Sequence, residues 1–266
     1  MSTISGPEDD KKMPLLDHLI ELRKRLLWSA IVLIILFGIC FYFSQPIFKF
    51  LAAPLQSRDP TPLVYTALTE AFFTYIKLSL FVAFILGFPV FATQIWLFVA
   101  PGLYRHERAG FLPFLISTPI MFYAGAAMVY YIVIPVAWDF FVGFQTEEIK
   151  LLPKVSEYLS LIMQLMFAFG LVFELPVLLT LLVRIGMVSS AGLAAKRRYA
   201  IVIAFIAAAI LTPPDVISQC ALALPIVLLY ESSIWIGKWI EKSRAKAELA
   251  AEAAEDAKAA DPTAEP

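Results

Sequence analysis

Several carboxylates stand where a carboxylate is costly or out of place, and their chemistry is that of receiving a cation. Glu21 lies in HLIELRKRL, a basic segment just before a long apolar run. An acid adds little to a basic membrane anchor, and its paired oxygens could instead accept a cationic group. Glu107 lies in PGLYRHER, flanked by Arg105, His106 and Arg108. That stretch is either a solvated turn balanced by its own arginines or a docking site, and its Pro-Gly pair favours a defined turn. Glu174, in FGLVFELP, sits inside an apolar run, where a charge costs about 2.5–3.5 kcal/mol to insert. It must face protein or water, or be protonated. It is then a neutral acid bonded to a neighbouring helix, or part of a functional polar patch. Gln164 reads as a helix-packing amide. Asp215, after TPP, needs no role beyond capping a helix N-terminus.

Other chemistries find no footing. His18 and His106 fall in different segments, and there is no HExxH, GxSxG or Gly-rich phosphate loop. Neither a metal nor any cofactor is expected, no ATP motor is visible, and the chain does not read as an enzyme. Cys40 and Cys220 lie in apolar surroundings and imply no metal or disulfide framework. The formal net charge of -1 carries no basic footprint for nucleic acid.

The elements that must position these residues are membrane spans. Of 266 residues, 60% are hydrophobic and 16% charged, with a mean hydropathy of +0.78. The apolar residues cluster in stretches long enough to cross a bilayer. Spans are expected at about 26–43, 71–99, 111–138 and 158–183, then two short ones at 199–211 and 216–236. Gly87 and Pro89 predict a kink in the second. Pro113, Pro119 and Pro135 interrupt the third, which a bundle tolerates. The fifth span, roughly 20 Å of helix, implies either a re-entrant hairpin or, preferred here, short crossings in a thinned membrane. The fold class is therefore all-α: a polytopic membrane protein with six transmembrane helices, the last two short. Residues 1–25 form an N-terminal segment, 26–240 the spanning domain, and 241–266 a tail expected to be disordered. The first segment carries leucines on one side and His18, Glu21 and Arg25 on the other, as in an amphipathic helix lying along the interface before span one. No cleavable signal peptide is expected in it.

Charge sets the orientation. Of 21 lysines and arginines, sixteen fall in the termini, the 100–110 loop and residues 184–198, against four in the alternate loops. Both termini and the PGLYRHER loop are expected in the cytoplasm.

HLIELRKRL at 18–26, PGLYRHER at 101–108, FGLVFELP at 169–176 and LTPPDVISQ at 211–219 together resemble the signatures of the TatC family, the multispanning receptor subunits of the twin-arginine protein translocase. The likeness covers about residues 12–240, and four motifs in order make it specific. It implies a bacterial inner-membrane core receptor and scaffold. Such a protein binds twin-arginine signal peptides of folded precursors and assembles with TatA-like and TatB-like single-span subunits among membrane lipids. Export would draw on the proton motive force. The resemblance assigns Glu21 and Glu107 to the signal-peptide arginines. Leu22, Arg23 and Arg25 shape the same surface, and Arg105 and Arg108 are basic loop positions near it. Glu174 becomes the acid of a concave intramembrane face and Asp215 an acid beside the short last spans. A secondary transporter would also suit Glu174 and broken helices, but no inverted repeat is apparent. A purely structural scaffold is a third reading. Neither alternative has need of Glu21 and Glu107 acting together.

Overall fold

The computed structural model describes residues 15–56, 63–99, 112–146, 152–211 and 216–260. Its helices are α1 (Leu15–Tyr42), α2 (Ser44–Gln56), α3 (Glu70–Val99), α4 (Leu112–Met128), α5 (Ile134–Val142), α6 (Val155–Val172), α7 (Leu175–Arg184), α8 (Ser190–Ala195), α9 (Arg197–Leu211) and α10 (Val216–Ala260). Among the described residues four stretches are long and apolar enough to cross a membrane: His18–Tyr42, Glu70–Phe98, Leu112–Val142 and Val155–Arg184. The chain is an all-α polytopic membrane protein. At 15 residues, α9 reaches only about 22 Å.

The helices pack in an open succession. α1 lies mainly on α3, α3 also meets α4 and α6, α7 joins α4 to α10, and α9 packs on α10. The large apolar side chains left exposed, such as Ile34, Ile120, Leu178 and Ile203, suit a lipid surround. At the centre α4 and α6 come close through two glycines. A Cβ on Gly125 would lie 2.5 Å from the Phe169 carbonyl oxygen, and one on Gly170 would strike the Phe122 ring. That ring stacks on Phe88 of α3, with centroids 3.6 Å apart.

Two prolines mark helix breaks, whereas Pro54, Pro89, Pro119 and Pro225 lie inside continuous helices. Before Pro135 the third span widens into a π-turn, Val129–Val133, in which Ile134 N donates to Val129 O. The wider turn makes room for a ring that would otherwise strike the carbonyl one turn back. In the fourth span Pro176 withholds a donor from Val172, and α6 ends. Glu174 N bonds back to Leu171 O at 3.1 Å, and α7 restarts with Leu178 N donating to Glu174 O at 2.9 Å. In α2, Pro54 cannot donate to Phe50 O, and the Tyr130 hydroxyl does so instead at 2.7 Å. Tyr158 adds a bond to Leu51 O at 3.3 Å.

One end of the bundle is tied by its loops. Val64 N donates to Pro153 O at 3.1 Å and Val155 N to Val64 O at 2.9 Å. Glu70 accepts from Thr66 N at 2.8 Å and from Ser156 N, at the start of α6, at 3.2 Å. At the other end α8 hangs on α10. Glu241 accepts from Ser190 N at 2.8 Å and from the Ser190 hydroxyl, and Tyr230 donates to Leu193 O at 2.8 Å.

Two expectations need correction. The interfacial helix and span one are a single helix, α1, because no Gly or Pro separates them. The alanine-rich tail from 241, expected to extend the last helix only a little before becoming disordered, continues α10 to Ala260. Alanine is the best helix former. Continuing an existing helix also avoids the nucleation step that makes isolated helices marginal.

Candidate functional site

Three side chains of α1 face α3: His18, Glu21 and Arg25, spaced three and four apart so that they share one side. Each is partly buried, whereas Leu19 and Leu26 point outward. The polar side of the amphipathic pattern thus faces protein, and the leucines take the surface. Arg25 closes on Glu21, its Nε donating to Glu21 Oε1 at 3.0 Å and an Nη also donating to that oxygen. Only 21% and 23% of the two side chains remain exposed. The other Arg25 Nη reaches Gln94 Oε1 of α3 at 3.4 Å. One turn on, the rings of His18 and Phe98 stack with centroids 4.2 Å apart. The chain leaves α3 at Val99, one residue past that stack, to enter the segment that carries PGLYRHER.

The result is a carboxylate that already holds a guanidinium. Planar donors meet carboxylate oxygens, and the helix contact removes much of the water. Leu22 is 41% exposed and Arg23 is exposed. Both lie off the α3 side, so they line the surface around the pair rather than the pair itself. Glu107, Arg105 and Arg108 fall outside the described residues, as does Asp215.

Glu174 makes a different site. It occupies the break between α6 and α7, as the residue capping α7. Its Oε1 is buried with no hydrogen-bond partner among the described residues, and the Thr118 hydroxyl of α4 lies beside the carboxyl. Thr118 in turn accepts from Trp96 Nε1 of α3 at 3.1 Å and donates to Phe114 O at 3.0 Å. Three spans therefore meet at this acid. Gln164 is exposed on α6, in line with the exposed Phe167 and Leu171. Among the described residues it packs against no neighbouring helix as a buried amide would. The last turns of α3 serve both sites, offering Gln94 and Phe98 to α1 and Trp96 to α4.

Sequence reasoning missed Gln94, an amide whose partner is remote in sequence. It also passed over Glu231, which is forked by Arg197 from α9, with Nε donating to Oε2 at 2.9 Å. An acid in one short span and a basic run before the other was the available signal. No group of three or more His, Cys, Asp or Glu able to hold a metal occurs among the described residues.

Comparison with known proteins agrees with this architecture. Residues 17–225 match the family model described as Sec-independent protein translocase protein (TatC). The protein of that name from Magnetococcus marinus is 54% identical over 246 residues, 92% of this chain and 91% of the relative. The one from Escherichia coli (strain K12) is 40% identical over 238 residues, 88% and 92% of the two chains. A crystal structure described as the twin arginine translocase receptor TatC superposes with a TM-score of 0.74 at 41% identity, covering 84% of this chain and 99% of that one. With both sequence and fold matched over most of its length, this chain belongs to the TatC family of Sec-independent protein translocase proteins.

Proposed function

We propose that this protein is the receptor and core scaffold of a twin-arginine translocase, binding the twin-arginine signal peptides of folded precursors for export. The observation that carries the reading is the Glu21 carboxylate, which holds a guanidinium in a half-buried setting between α1 and α3. A second guanidinium, from a twin-arginine motif, needs a second acid. Glu107 fills that role, since its loop begins next to the His18–Phe98 stack. The reaction is recognition and assembly rather than covalent catalysis.

The membrane setting follows from the same family assignment. The protein resides in a bacterial inner membrane with six crossings, α9 and the first part of α10 forming the short last pair. Both termini are cytoplasmic, supported by the lysine and arginine bias. Glu174, with Gln164 and Asp215, supplies polar contacts inside the membrane for the single-span TatA-like and TatB-like partners. The unpartnered Glu174 oxygen and the exposed Gln164 amide favour that use.

The test presents the full chain in nanodiscs with a signal peptide carrying Arg-Arg, and with the same peptide carrying Lys-Lys. Tight binding of the first, weak binding of the second and loss on Glu107→Ala are expected. Equal binding in all three would refute the receptor assignment for this surface.

A further inference from the structure

The Glu21 carboxylate is occupied in the free protein, and its occupant belongs to the same helix. Arg25 is four residues on, so the helix alone brings its fork to Glu21. Gln94 then holds a second nitrogen of Arg25 from α3 at 3.4 Å, so the pair is set by two helices rather than by one mobile side chain. Both Arg25 nitrogens sit on Oε1, so an incoming arginine that takes the carboxylate through both oxygens must claim that one from Arg25. We propose that Arg25 is a resident stand-in for the ligand's arginine, and that signal peptides bind by displacing it from Glu21. The inference rests on the receptor reading of Glu21 and adds a threshold to it.

The physical content is a competition. If the carboxylate is free only a fraction of the time, every ligand's dissociation constant is raised by the reciprocal of that fraction. The factor is the same for a strong ligand and a weak one. Arg25 therefore leaves the ratio of Arg-Arg to Lys-Lys affinity unchanged but lowers both. Weak, accidental ligands then fall below their working concentration while a true signal stays above it. A residue that merely shaped the site would behave in the opposite way, its removal weakening binding and altering the ratio.

Two substitutions separate these cases in nanodisc-embedded full-length protein, titrated with the Arg-Arg and Lys-Lys peptides. Arg25→Gln removes the competitor and is expected to tighten both peptides by a similar factor, roughly three- to tenfold. Arg25→Lys keeps the charge but loses the planar fork, and is expected to tighten both by a smaller factor. In a Glu21→Gln background neither substitution should produce a gain, because the contested oxygen no longer belongs to a carboxylate. Weaker binding by Arg25→Gln, a changed Arg-to-Lys ratio, or no change with Arg25→Lys would each overturn the stand-in. If Glu21→Gln alone leaves Arg-Arg binding intact, the receptor reading of Glu21 fails instead, which is a distinct result.

Discussion

Glu21 and Glu174 are both half-buried acids at helix contacts, and they are built in opposite ways. Glu21 is on an unbroken helix and is neutralised by a neighbour one turn away. Glu174 stands in a helix break, with one oxygen buried and unpartnered among the described residues. A paired acid is ready to exchange one cation for another at small net cost. An unpaired acid oxygen in a low-dielectric setting instead awaits a hydrogen-bond partner from beyond the described residues. The two sites are joined through α3 but rest on different neighbours, α1 in one case and α4 with α7 in the other.

The firmest way to break that comparison is to disturb the frame behind Glu174 alone. Gly125→Ala places a methyl 2.5 Å from the Phe169 carbonyl oxygen. It is expected to cost about 2–3 kcal/mol, read as a lower unfolding temperature in nanodiscs. The fraction still folded should bind signal peptide normally, since α1 and α3 are not displaced. Next in size, Glu21→Gln should weaken Arg-Arg peptide binding about tenfold, close to the loss of one charge-assisted pair. The unfolding temperature should fall only modestly, since losing the half-buried pair costs about 1 kcal/mol. Raising salt from about 0.05 to 0.5 M should weaken the peptide a further threefold or so through screening, measured by titration at each concentration. Smallest of all, Glu174→Gln should change peptide affinity by less than about twofold. A tenfold loss there would join the two acids into one site.

Much of the architecture was legible because the physics of a bilayer is one-dimensional. Length and hydropathy located α3, α4 and α6 within a few residues; the interruption expected at Pro135 is present, and Pro176, which carried no such expectation, ends α6. They did not say that the first would widen a helix into a π-turn while the second would end one. That choice depends on neighbouring helices. The amphipathic pattern at 18–26 was read correctly as a helix, but as one lying along the interface rather than against α3. The pattern is identical whether the polar residues meet solvent or Gln94, and only the three-dimensional contact decides. The alanine-rich end was ambiguous for a similar reason, since its composition suits both a solvated tail and the extension of an existing helix. At the candidate site, the Glu21–Arg25 spacing was plain in ELRKR, whereas the third member lies 69 residues away from Arg25.

The repaired proline of α2 bears on the order in which the protein can be made. Phe50 O gets its donor from Tyr130 and Leu51 O a second one from Tyr158, residues the ribosome adds long after α2 has emerged. Until then water must serve the Phe50 carbonyl, and α2 has less reason to settle into a dry position. The first third of the chain is therefore expected to wait, with α2 fixed once Tyr130 and Tyr158 have been made. A nascent chain arrested before residue 130 should leave α2 open to a water-soluble labelling reagent, and one arrested well beyond residue 158 should not.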